Sequence, residues 1–104
     1  MYDEGFRSNP KIRVVPANYA DECAYHLYEL IVPDREALLN RLSEAGINCG
    51  VHYRDNTEYR LFAFGESQAP RAREVSRQLI TMPLHMWLTD GDVRRIVEKV
   101  NEYA

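Results

Sequence analysis

The chain reads as an α+β two-layer sandwich, with a small, mostly antiparallel sheet and about three helices covering one of its faces. Three observations predict this class. Residues 24–32, AYHLYELIV, form an aromatic and branched run of the kind found in strands. The pattern from Leu38 to Ala45 then switches to helical spacing. Near the C-terminus, Val93, Ile96, Val97 and Val100 make an apolar stripe at i, i+3, i+4, i+7. A chain of 104 residues suits one domain, 1–104, with room for a modest core.

The elements follow in order. Residues 1–10 carry Gly5, Ser8, Asn9 and Pro10 and read as an irregular lead-in. Residues 11–15 suit a short strand stopped by Pro16, and 16–23 a loop. Within 24–32, Tyr25, Leu27, Glu29 and Ile31 alternate against His26, Tyr28, Leu30 and Val32. Both sets are largely apolar, as in a central strand. Asp34 is placed to cap a helix over 34–45, in which Leu38, Leu39, Leu42 and Ala45 repeat. Gly46 stands where a left-handed C-terminal cap belongs.

Residues 47–53 read as a second strand, with Ile47, Cys49, Val51 and Tyr53 toward the core. Asn48, Gly50 and His52 then share the wetter face. Residues 54–69 are a long loop, or a loop with a short helical turn through 59–64. Pro70 fits a first helical turn, and Ala72, Val75 and Leu79 mark a helix over 69–79. Residues 80–84 are short and extended, broken by Pro83. Thr89 and Asp92 frame a capping box that starts a final helix over 90–102. With the helices on one face of the sheet, the face holding His52 and Asn48 is left uncovered.

Composition excludes several functions. The net charge is -3 and the arginines are interspersed with acids, which is a solvated mixed surface and not a nucleic-acid footprint. No apolar run approaches the roughly 18 residues of a membrane span. With no secretory leader and only Cys23 and Cys49, the chain reads as soluble, reduced and cytoplasmic. No CxxC, HxxxH or HExxH spacing occurs, and Cys49 and His52 fall on opposite strand faces, so no metal site is expected. Glycine-rich phosphate loops are absent as well.

Candidate functional residues are few. His26, inside the central strand, suits a structural hydrogen bond, and His85 lies in a loop. His52 ends a strand on its polar face and is followed by polar residues, a position that suits either a structural or a binding role. Tyr59, Leu61, Phe62 and Phe64 form an apolar cluster that either tucks over the core or faces a partner.

Taken together, the motifs resemble the C-terminal small domain of the DegT/DnrJ/StrS sugar aminotransferases, fold-type I enzymes that use pyridoxal phosphate (PLP). The resemblance rests on His26-Leu27-Tyr28, Arg35, Gly46-Ile47 and His52-Tyr53. Met82-Pro83-Leu84-His85 and Leu88-Thr89-Asp90-Gly91-Asp92-Val93 continue it, and Tyr2 to Phe6 resembles the end of the family's interdomain helix. The resemblance implies that the cofactor and its Schiff-base lysine belong to a large domain that precedes this one. Only Lys11 and Lys99 occur, and neither matches the family's catalytic lysine. The chain alone is therefore expected to bind no cofactor and not to transaminate.

By the same resemblance, His52, Tyr53, Arg54 and Asn56 are substrate-side residues near a sugar-nucleotide cleft. The sequence departs from the family there: Arg54-Asp55-Asn56-Thr57-Glu58 replaces the usual proline and second histidine. The chain is either a fragment of a longer enzyme or a short gene of its own. A stand-alone module would instead self-associate, bind a protein partner through the uncovered sheet face and 59–64, or hold a small ligand near His52 and Arg54.

Overall fold

The computed structural model describes residues 1–16, 24, 26–65 and 68–104. Cys23, Tyr25 and most of the expected 16–23 loop lie outside them. The architecture is α+β. A three-stranded antiparallel sheet runs in the order β1 (Arg13–Val14), β2 (Tyr28–Ile31), β3 (Leu79–Met82). The helices are α1 (Tyr2–Phe6), α2 (Arg35–Glu44), α3 (Pro70–Gln78) and α4 (Asp90–Tyr103), with 3-10 turns at Asn56–Glu58 and Arg60–Gly65. None of the helices described is long and apolar enough to cross a membrane.

The expected central strand is central, but it begins only at Tyr28. Its register sorts the faces. Leu30 pairs with Ile80 and both are fully buried, while Tyr28 pairs with Met82 on the same side. Strand alternation turns the next pairs, Glu29 with Thr81 and Ile31 with Leu79, to the opposite face. The core joins Leu30, Val32, Ile80 and Met82 of the sheet to Leu38 and Leu42 of α2 and Ile96 and Val100 of α4. Each fully buried leucine contributes about 1.5–3 kcal/mol through removal from water.

Local chemistry starts and stops the helices as expected. The Asp34 carboxylate accepts from the Ala37 N–H, and Gly46 closes α2 at φ 79°. Thr89 and Asp92 form the reciprocal capping box of α4. Arg35 is buried, and its guanidinium donates to the Ser76 and Leu79 carbonyls, joining the start of α2 to the end of α3.

Three readings of the residues need correction. Residues 1–10 are not irregular throughout. Tyr2 and Phe6 stack four apart on α1, bury against Tyr28, and Tyr2 donates to the Pro83 carbonyl at 2.7 Å. Residues 47–53 do not form a strand among the described elements. Gly50 alone bridges to Thr81, so nothing enforces alternation beyond it, and Tyr53 is 71% exposed where parity put it toward the core. His26 precedes the strand and is exposed.

Candidate functional site

The site grows from the outer face of the sheet. Gly50 and Thr81 exchange both backbone hydrogen bonds, at 3.0 and 2.8 Å, which pins the chain just before His52 to β3. Thr81 turns its side chain away from the core. His52 folds back over Gly50, and its Nδ1 lies 3.0 Å from Thr81 Oγ1. A Cβ on Gly50 would sit 2.8 Å from His52 Cε1, so only glycine leaves room for the ring in this position. Thr81 Oγ1 lies 3.5 Å from Glu29 Oε1, its cross-strand neighbour. Burial raises the Glu29 pKa, opposed by the Thr81 hydrogen bond and by the nearby His52 and His26. An open cavity of about 330 Å³ adjoins this row, lined by His26, Asn48, Cys49, His52, Thr81 and Leu84 among others. Burial also pushes the Cys49 thiol up to about 11, so it is a poor nucleophile near neutral pH.

The four substrate-side candidates are placed separately. His52 is half-buried in the row just described, and Tyr53 is exposed, edge-on to the His52 ring with centroids 5.1 Å apart. Arg54 turns to the start of α2, where its Nη1 is 3.8 Å from Glu36 Oε1, an oxygen shared with Arg35. Asn56 is exposed and opens a 3-10 turn capped by Asp55, whose carboxylate accepts from Thr57. Those bonds hold the Asp55 pKa below its ordinary value. Only His52 of the four lines the cavity.

The interface candidates stand out from the body: Tyr59, Leu61, Phe62 and Phe64 are 54%, 77%, 45% and 85% exposed. Of the two readings of this cluster, the one that tucks it over the core is not realised. Sequence reasoning missed a second exposed apolar run, Leu84, Met86 and Trp87, because no periodicity distinguishes a surface run from a buried one. It also missed Thr81 and Glu29, although each is a lone polar residue within a strand of apolar neighbours.

Residues 1–101 match the model of the DegT/DnrJ/EryC1/StrS aminotransferase family. The chain belongs to this family. Its relatives include a dTDP-3-amino-3,6-dideoxy-alpha-D-galactopyranose transaminase of Aneurinibacillus thermoaerophilus, 26% identical over 99 residues, covering 92% of this chain and 27% of that protein. The putative sugar aminotransferase Spr1654 of Streptococcus pneumoniae superposes with a TM-score of 0.83 at 25% identity, over 98% of this chain and 28% of its own. The sugar aminotransferase CalS13 of Micromonospora echinospora superposes at 0.84 with 28% identity, over 97% of this chain and 27% of its own. This chain thus spans a little over a quarter of the length of the relatives it matches.

Spr1654 is known in PLP and PMP forms. Lys99 Nζ on α4 is 2.9 Å from Glu102 and 5.6 Å from the centroid of the Tyr103 ring. Lys11 is exposed just before β1. Neither lysine lines the cavity beside His52, so no transamination step is assigned to these residues.

Proposed function

We propose that this chain acts as the small domain of a sugar-nucleotide aminotransferase, contributing to catalysis only together with a cofactor-bearing large domain. What carries this reading is the near-complete superposition of the chain on just over a quarter of two sugar aminotransferases. In it, His52, Tyr53, Arg54 and Asn56 form the substrate-side lip of a cleft whose other wall is the large domain. The cofactor lysine belongs to that wall, and the isolated chain does not transaminate. Incubation with PLP, borohydride reduction and mass spectrometry test this. No stoichiometric adduct at Lys11 or Lys99 is expected, and a single trapped adduct with an imine absorbance band would overturn it.

A second reading has its own observation, the exposure of Leu61 and Phe64 at 77% and 85%. In this reading the chain is a stand-alone module that forms a homodimer, or holds a protein partner, through residues 59–64 and the outer sheet face. Its test is the association behaviour argued in the Discussion.

A further inference from the structure

The row Glu29–Thr81–His52 has a direction. The Thr81 hydroxyl has one proton to give and lone pairs to accept with. Its neighbours are a carboxylate oxygen at 3.5 Å and an imidazole nitrogen at 3.0 Å. The carboxylate can only accept, and a hydrogen bond to a charged acceptor is the stronger kind. The proton therefore points to Glu29, and the oxygen is left to accept from His52 Nδ1–H. Thr81 is buried at 5% exposure, its backbone N–H and carbonyl both bond to Gly50, and on its other side it stands opposite Glu29 in the β2–β3 register. A β-branched side chain held this way has little torsional freedom. The close approach of Gly50 to the ring sets the other end of the row.

We propose that Glu29 and Thr81 are positioning residues that hold neutral His52 as its Nδ1–H tautomer, so that Nε2 meets a ligand as a hydrogen-bond acceptor. Free imidazole side chains in water favour the opposite tautomer, so the row reverses the default. Nε2 has no hydrogen-bond partner among the described residues, and His52 lines the cavity of about 330 Å³. The group recognised there is a donor, a hydroxyl of the ligand, and not a carbonyl or phosphate oxygen. This deepens the reading of His52 as a substrate-side residue, yet the tautomer is a property of the chain alone.

Long-range ¹H–¹⁵N correlation spectra of the labelled chain test it at about pH 8.5, above the ordinary imidazole range near 6.5. The His52 signals are assigned by their loss in His52→Asn. In the unsubstituted chain, Nδ1 should show the protonated shift and Nε2 the lone-pair shift. Thr81→Val, which removes the hydroxyl, should reverse the majority tautomer, and Thr81→Ser should restore it. Glu29→Met, which frees the hydroxyl proton to turn toward His52, should reverse it as well. A majority Nε2–H tautomer in the unsubstituted chain would overturn the proposal even if every variant failed to fold. An unchanged tautomer in folded Thr81→Val would do the same. Neither result depends on a large domain or on PLP, so the reading of the chain as a small domain stands or falls separately.

Discussion

A Cβ on Gly5 would lie 2.5 Å from Val97 Cγ1, so glycine at this position sets how closely α1 approaches α4. Two effects compete in Gly5→Ala. Alanine gains about 1 kcal/mol in helix propensity, while overpacking a fitted contact costs about 1–3 kcal/mol. The contact should win, because the clash is with the branch point side of a valine and not a flexible tip. A net loss of about 1 kcal/mol is expected in urea unfolding, and a variant as stable as the parent would refute the close-packing account. Ionisable groups in the same region set the alkaline limit. Burial pushes the Cys49 thiol to about 11, and burial, with a smaller contribution from Cys49, pushes Tyr2 to about 12. Burial and the bond to Asp3 raise Tyr28 further. The folded state thus holds protons that the unfolded chain releases near about pH 8.5 for cysteine and 10 for tyrosine. Stability from these groups is complete below about pH 8.5 and falls as pH rises toward their folded values. Urea midpoints should drop steadily above about pH 9, and Cys49→Ala should delay the onset toward the tyrosine value near 10. A flat profile across that interval would contradict the burial of these groups.

Between elements, the capping box at the start of α4 is the most economical point of control. The Thr89 hydroxyl accepts from the Asp92 N–H at 3.1 Å, and the Asp92 carboxylate accepts from the Thr89 N–H at 2.9 Å. Thr89→Ala removes the hydroxyl that accepts from the Asp92 N–H, leaving only the backbone half of the box, and should cost about 1 kcal/mol, lowering the melting temperature of a domain this size by about 4–8 °C. Because α4 supplies Ile96 and Val100 to the core, the whole domain should melt earlier as one transition, measurable by calorimetry. The capping signals at Asp34, Gly46 and Thr89 were legible in the sequence because each acts within a few residues of itself. What pairs across the chain was not. The alternation in 47–53 suggested a strand, yet a ladder needs a partner of matching length, and only Gly50 finds one. The residues of α1 form too short a run for periodicity. Only the resemblance to the family's interdomain helix pointed to it, and the helix is held by Tyr28 and α4 rather than by propensity. His52 was recognised from its strand-end position. Its partners Thr81 and Glu29 are 29 and 23 positions away and are joined to it by sheet register, which a single sequence does not reveal.

At the scale of the molecule, the radius of gyration is 14.7 Å, against about 13 Å for a compact domain of this length. The turns at Asn56–Glu58 and Arg60–Gly65 pack on each other and leave Leu61 and Phe64 exposed. Apolar side chains this exposed favour cover by another surface, and a specific interface buries about 800 Å² on each side. Replacing Leu61 and Phe64 together with serine separates a partner-facing role from a structural one. Side chains that touch little of their own domain contribute little to its stability, so the double variant should unfold within about 0.5 kcal/mol of the parent. Association is where the change should appear. Sedimentation velocity at rising concentration should show the parent forming dimers and the variant remaining monomeric. Trp87, the only tryptophan, is 87% exposed and supplies a second readout. Its emission should be that of a water-exposed indole in the dilute chain, and should shift to the blue if the surface that covers residues 59–64 also reaches Leu84–Trp87. A parent that stays monomeric at high concentration, with no binding of an apolar dye, would remove the self-association reading and leave the small-domain reading alone.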